Sequence, residues 1–296
     1  MGALEGKVAI VTGAGRGLGR AEAIELARQG ASVVVNDVGA SLEGTDRSEQ
    51  PADEVVNEIE AEGGKAAAHF GDVSDFQQAG ELIRFAVETF GDLHVLVNNA
   101  GILRDRMIFN MSEEEFDAVI RVHLKGHFCT MRHATELWRE RAKAGEQVYG
   151  RIVNTSSEAF LFGSPGQPNY AAAKAGITAL TLATAQSMWK YGVTANAICP
   201  RALTRMTEPM GLDPAMFAPE NVAPLVAWLG SAEAARVSGQ VFVVYGGIVN
   251  VIGSPPVDRS FTTDGPWSVG EIQQQLGPFY DERMPVQDGF AMPFSQ

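Results

Sequence analysis

Tyr170 and Lys174 stand four positions apart in "NYAAAKAG" (169–176), a stretch otherwise mostly alanine. Four residues is just over one helical turn, so a phenol and an ammonium on such a helix share a face. A cation beside a phenol favours the phenolate and lowers its pKa from an ordinary value of about 10. That makes the phenol a proton donor and acceptor near neutral pH. Taken alone, the pair reads more readily as a packed Tyr with a surface Lys beside it, since such neighbours are common on any helix. Upstream, "IVNTSSEAF" ends a strand at Ser156 and Ser157, and Tyr170 follows Ser157 by thirteen residues. Their hydroxyls can therefore converge on one substrate carbonyl, with Lys174 beside them.

A second constellation is "VAIVTGAGRGLGRAEAIELARQG" near the N-terminus. A strand ends, Gly13, Gly17 and Gly19 follow, and a helix begins. Gly13 permits the tight turn, Gly17 lets backbone approach a diphosphate, and Gly19 lets helix and strand pack closely. The free N–H groups and partial positive charge of the helix start suit phosphates. Asp37 ends the second strand, "VVVND", twenty-four residues after Gly13. A carboxylate there accepts hydrogen bonds from an adenosine ribose and repels a 2′-phosphate, which favours NAD over NADP. Arg16 pulls the other way, since a guanidinium in the loop suits that phosphate. "HFGDVSD" places Asp72 and Val73 at the end of a third strand, and "VLVNNAG" places Asn98 to Gly101 at the end of a fourth. Small and polar residues ending successive parallel strands collect at the carboxyl edge, where ligands bind.

The elements needed to position these groups are legible as alternation. Strand candidates are 7–12, 32–37, 65–70, 93–98, 151–156, 193–198 and 240–245. Helical stretches at 18–30, 52–63, 75–90, 113–141, 169–190 and 222–230 lie between them. Apolar strands alternating with helices predict a doubly wound α/β sheet of about seven strands, a single-domain Rossmann-type fold. Residues 1–250 form the catalytic domain in this reading, and 251–296 a C-terminal extension. The extension is rich in Pro and aromatic residues, with a capping box from Ser268 to Glu271 that starts one short helix. So many aromatics are costly to leave in water, so the extension is expected to dock on the domain or on a partner subunit.

With 296 residues, 45% hydrophobic and 20% charged, the chain has the composition of a globular protein with a full core. Its net charge of −13 and pI near 4.9 argue against nucleic acid and anionic membrane surfaces as partners. Cys129 and Cys199 show no CxxC spacing, and the five histidines show no HExxH pattern, so no metal site is expected. The N-terminal apolar run is too short for a signal peptide and no stretch approaches a membrane span, which makes the cytoplasm the expected location.

Taken together, TGxxxGxG, NNAG, Ser and YxxxK in this order resemble the short-chain dehydrogenase/reductase family over residues 5–250. The resemblance implies Tyr170 as general acid/base, Ser157 as the group that polarises the substrate oxygen, and Lys174 as holder of the nicotinamide ribose. It further implies that Gly13, Arg16, Gly17, Leu18 and Gly19 border the diphosphate, Asp37 the adenosine ribose, and Asp72 and Val73 the adenine. Asn99, Ala100 and Gly101 would lie along the cofactor, with Pro200, Arg201 and Thr204 near its nicotinamide edge. Where the family carries a catalytic Asn, this chain reads "RVHLKGHF", with His123. That spelling, with "NNAGILRDR" and "GQPNYAAAK", is similar to a subgroup: the dehydrogenase part of peroxisomal multifunctional enzymes. That part oxidises (3R)-hydroxyacyl-CoA and 17β-hydroxysteroids.

The expectation is therefore a stand-alone NAD-dependent oxidoreductase acting on a secondary alcohol/ketone pair in a bulky, lipid-like substrate. Phe160, Leu161, Phe162, Met206, Met210, Met216 and Phe217 are candidate pocket residues, and Arg104, Arg106, Arg201 and Arg205 candidates for CoA phosphates. The alternatives are an NADPH-dependent 3-oxoacyl carrier-protein reductase and an NAD(H)-sensing regulator without turnover. Family members associate through their long helices, so the resemblance implies a homodimer or homotetramer.

Overall fold

The strands form because their β-branched cores are buried on both faces: "VAIVT" of β1 (Val8–Thr12) has all five residues buried. The computed structural model describes residues 2–39, 50–204 and 213–285. β2 (Ser32–Asn36), β3 (Lys65–His69), β4 (Val95–Asn98), β5 (Gly150–Thr155), β6 (Val193–Pro200) and β7 (Val241–Tyr245) join β1 in one sheet. An eighth strand, β8 (Ile248–Ile252), completes it, in the order β3–β2–β1–β4–β5–β6–β7–β8. All pairings are parallel except β7–β8. The sheet is thus the expected doubly wound one with an added antiparallel edge. β8 escapes a periodicity reading because it follows β7 across Gly246–Gly247, and most of its residues are exposed.

Helices α1 (Gly17–Arg28), α2 (Gln50–Ala61), α3 (Phe76–Phe90), α4 (Glu113–Ile120), α5 (Gly126–Lys143), α6 (Ala159–Phe162), α7 (Pro168–Met188) and α8 (Ala223–Gly230) connect the strands. Their ends follow local chemistry. Asp75 caps α3 by accepting from the Gln77 and Gln78 amides, and Ser112 forms a capping box with Glu115 at α4. Pro168 occupies the first turn of α7, where its missing N–H costs nothing. Two apolar clusters sandwich the sheet: one holds Ala9, Val11, Val33 and Leu229, the other Ile10, Leu82, Leu96 and Trp138.

The expected single helix over 113–141 is instead two helices joined by a π turn at Arg121–Lys125. Wider turns of this kind re-aim backbone groups, often at functional sites, and His123 sits in the middle of this one. Among the described residues no helix is long and apolar enough to cross a membrane. Chain contacts divide the molecule into residues 1–252 and 253–296. The second unit contains α9 (Val269–Asp281), started by the capping box of Ser268 and Glu271. Phe261 meets Phe279 edge-on at 5.5 Å, and Arg283 pairs with Asp258 at 2.8 Å.

Candidate active site

The carboxyl ends of β1, β4, β5 and β6 carry the predicted residues, so the sheet does the assembling. Gly13 has φ +63°, and a Cβ there would stand 2.7 Å from the Ala100 backbone. At Gly19 a Cβ would collide with the Gly13 carbonyl and the Asn99 amide. The loop therefore tolerates only glycine at both places, for φ at one and close approach at the other. Thr204 lies across the loop, its methyl 3.4 Å from where a Cβ on Gly17 would stand. Arg16 is exposed at the N-cap of α1, and Leu18 is half-buried.

Asp37 grips the same loop. Its Oδ2 accepts from the Gly15 amide at 2.8 Å, and its Oδ1 from the Gly39 amide at 2.7 Å. Each carboxylate oxygen keeps a lone pair for a further donor. Asn99 also turns toward the loop: its amide donates to the Thr12 and Gly13 carbonyls at 3.1 Å each. The Asn99 and Ala100 amides both donate to the Thr12 hydroxyl. Asp72 accepts from the Ser74 amide and hydroxyl, and Val73 is buried against Gly126. The narrow glycine turn, the helix start behind it and the carboxylate just after β2 fit a dinucleotide.

The two serines ending β5 separate by alternation. Ser156 is buried, its hydroxyl bonded to the Lys174 carbonyl at 3.1 Å and to Thr178 at 2.8 Å. Ser157 faces the other way and makes a side-chain hydrogen bond with Tyr170. Lys174 is buried, its Nζ 5.3 Å from the centre of the Tyr170 ring. Ser157, Tyr170 and Lys174 thus meet at the end of β5.

Their electrostatics differ from the sequence expectation. Tyr170 keeps part of its surface open, yet protein atoms crowd the ring, and burial pushes its pKa up to about 12. The Ser157 hydrogen bond works against that rise. Lys174 does not depress the phenol in this state. Burial pushes its own pKa down to about 7, and its ammonium is engaged by the Thr155 carbonyl at 2.6 Å.

His123 is buried and packs edge-on against Tyr170, ring centres 5.3 Å apart. Its Nε2 lies 2.8 Å from the Ile102 carbonyl, while its Nδ1 has no partner among the described residues. Burial holds its pKa well below the ordinary value, with the Lys174 charge pushing the same way. His127, one turn later, donates from Nδ1 to the His123 carbonyl at 2.7 Å, and burial takes its pKa to about 3. The i,i+4 spacing of the two histidines is visible in the sequence, where His123 alone is a catalytic candidate and the contact between the two is not foreseen. Asn169, just before Tyr170, was also missed. It is fully buried, and its amide donates to the Arg104 and Glu115 carbonyls, pinning the start of α7.

The arginine expectation is corrected in part. Arg201 makes a bidentate pair with Glu158 at 2.7 and 2.8 Å, and Arg106 pairs with Glu115 at 3.1 Å. A guanidinium already matched to a carboxylate has little to give a phosphate. Arg205, Met206 and Met210 lie outside the described residues. Phe160 packs against the cluster around Cys199 and Val243, and Phe217 stacks on Tyr245 at 5.8 Å. Both cysteines are buried and free, and burial pushes the Cys199 thiol up to about 12.

Known proteins resemble this chain over most of its length. The chain is 51% identical over 301 residues to a hydroxyacyl-CoA dehydrogenase, ChsB1, of Mycobacterium tuberculosis, covering 96% of this chain and 92% of that protein. It is 45% identical over 247 residues to peroxisomal multifunctional enzyme type 2 of Mus musculus, spanning 82% of this chain but 32% of that protein. A crystal structure of a short chain dehydrogenase from Mycobacterium avium superposes with a TM-score of 0.86 at 53% identity, covering 96% of this chain and 98% of that one. A family model for short chain dehydrogenases matches residues 7–214. The chain belongs to the short chain dehydrogenase family and is an oxidoreductase acting on CH–OH groups.

Proposed function

We propose that the protein is an NAD-dependent dehydrogenase interconverting a secondary alcohol and its ketone on a bulky apolar substrate of the 3-hydroxyacyl-CoA or 17-hydroxysteroid type. The observation that carries this reading is the meeting of Ser157, Tyr170 and Lys174 at the end of β5, with Thr204 lying across the glycine turn. Gly13, Gly17, Gly19 and Asp37 would hold the dinucleotide, which supplies a two-electron hydride acceptor when bound.

The residues of this chain then handle the proton. In the oxidation direction the Tyr170 phenolate takes the hydroxyl proton of the alcohol and becomes the phenol; in the reverse direction the phenol gives that proton back. Ser157 holds the substrate oxygen as it becomes a carbonyl. Lys174, anchored on the Thr155 carbonyl, keeps further N–H donors for the ribose and the phenolate. His123 is neutral at ordinary pH and acts by packing on the Tyr170 ring rather than by carrying a proton. The apolar residues Phe160, Leu161 and Phe217 suit a lipid-like substrate. Exposed Phe116, Phe128 and Leu182 on α4, α5 and α7 support association of copies of the chain through these helices. Docking of residues 251–296 on the domain or a partner belongs to the same reading.

The test is NADH absorbance with a 3-hydroxyacyl-CoA and, separately, a 17-hydroxysteroid, each with NAD and with NADP. Turnover with NAD, lost in Tyr170→Phe by about a hundredfold or more, is the expected result. Preference for NADP, or an unimpaired Phe variant, overturns the reading; NADH binding without turnover of either substrate points to the sensing role.

A further inference from the structure

The strands also have an amino edge, and a cleft of about 510 Å³ opens there, at the far end of the sheet from Ser157 and Tyr170. Its wall is built by the residues that lead into β1, β4, β5 and β6, including Lys7, His94, Tyr149, Arg151, Trp189 and Thr194. A volume of this size lies within the range of small-molecule sites.

The charge in this cleft is unusual for so acidic a chain. Arg151 is 5% exposed, and its guanidinium donates to the backbone carbonyls of Gly150 at 2.9 Å, Gly192 at 3.3 Å and Ser231 at 3.4 Å. It lies 4.0 Å from the centre of the Tyr149 ring, and the Lys7 ammonium rests 4.2 Å from the same centre. Among the described residues neither cation has a carboxylate partner, whereas Arg20, Arg28, Arg106, Arg132 and Arg201 each have one. The nearby carboxylate of Asp92 is already engaged by Arg141 and, at 3.4 Å, by His94, while Glu146 is an exposed wall residue. Two cations on one aromatic ring repel each other, and cation–π attraction compensates only in part.

An independent observation concerns Thr194. It is 2% exposed, lines the cleft, and its hydroxyl has no hydrogen-bond partner among the described residues. Thr194 is also the register partner of Arg151 across β5 and β6, so the two side chains stand on one face of the sheet. Burying a hydroxyl unpaired is unfavourable, and a ligand acceptor at this spot would remove that cost. Trp189, half exposed at 50%, offers a flat apolar wall beside the polar groups.

We propose that this cleft is a second ligand site, for a small molecule bearing a carboxylate or phosphate. The anion sits among Lys7, Arg151 and the Thr194 hydroxyl, and the body of the ligand lies against Trp189. The site is separate from the catalytic one and holds a molecule that is not the hydride donor or acceptor.

Calorimetric titration of the full chain with inorganic phosphate and with benzoate tests this, ionic strength being held constant with sodium chloride. One saturable site per chain is expected for at least one probe with a Kd of about 1 mM or tighter; the tighter probe names the head group. Lys7→Glu weakens that binding about tenfold or more, since it reverses a charge at the anion. Thr194→Val weakens it severalfold without lowering Tm, because an unpaired buried hydroxyl is replaced by a methyl of similar shape. Absence of saturation with both probes, or binding that neither variant changes, overturns the proposal.

Discussion

The Lys174 ammonium donates to the Thr155 carbonyl at 2.6 Å, tying the helix that carries Tyr170 to the last residue of β5. Ser157 leaves the same strand two residues later, so this one bond fixes the spacing of all three chemical groups. A buried cation with a single described hydrogen bond is expensive, and the pKa of about 7 expresses that cost.

Lys174→Met is therefore expected to act oppositely on rate and stability. It lowers kcat about a hundredfold or more by removing the charge beside the phenolate. In the unfolded chain Lys174 titrates at its ordinary value near 10.5, in the folded chain at about 7. Between these pH values the unfolded state binds more protons, so wild-type stability gains from this residue as pH rises. Urea unfolding should show the Met variant most favoured relative to wild type at pH 7 and least at pH 10.

Glu22 gives the reverse slope. It is fully buried in α1 with neither carboxylate oxygen bonded among the described residues, and burial raises its pKa from 4.5 to about 8. The folded state holds the proton through that window while the unfolded state has lost it, so stability falls as pH rises from 4.5 to 8. Glu22→Gln should stabilise the protein at pH 8 relative to its effect at pH 5, by on the order of 3–5 kcal/mol. Equal Tm shifts at the two pH values would contradict this.

Asp37→Ala removes two backbone-to-carboxylate bonds from the loop around Gly15 and Gly39. It should raise KM for NAD and relax discrimination against NADP, each by about tenfold or more. Initial rates over both dinucleotides measure this, and a KM for NAD that stays at the wild-type value counts against the carboxylate.

Gly101 and His123 form a packed pair: a Cβ on Gly101 would overlap the His123 ring. Gly101→Ala is expected to cost about 1–3 kcal/mol and to lower kcat by displacing the ring that supports Tyr170. In a double-mutant cycle, His123→Ala should recover most of the lost stability in the Gly101→Ala background while kcat stays low. Full additivity in stability would mean that the ring moves aside freely.

Local chemistry made much of this protein legible before folding. Continuous apolar runs mark the strands between helical stretches, Gly13 follows β1 while Gly17 and Gly19 lie in the first turn of α1, and four-residue spacing puts Tyr170 and Lys174 on one face. These are properties of neighbours in the chain, so the sequence contains them whole. Tertiary contact decided the rest. It tied the Ser156 hydroxyl to Lys174 and Thr178 in α7 and left Ser157, which the family resemblance already names, on the other face. It spent Arg201 on Glu158, forty-three residues away, and let the His127 ring bind the His123 carbonyl where a continuous helix was expected. It also reversed the expected direction for Tyr170, since burial outweighs a neighbouring amine that is itself half-neutral at pH 7. Desolvation and pairing depend on what surrounds a group in space, and no spacing along the chain specifies that.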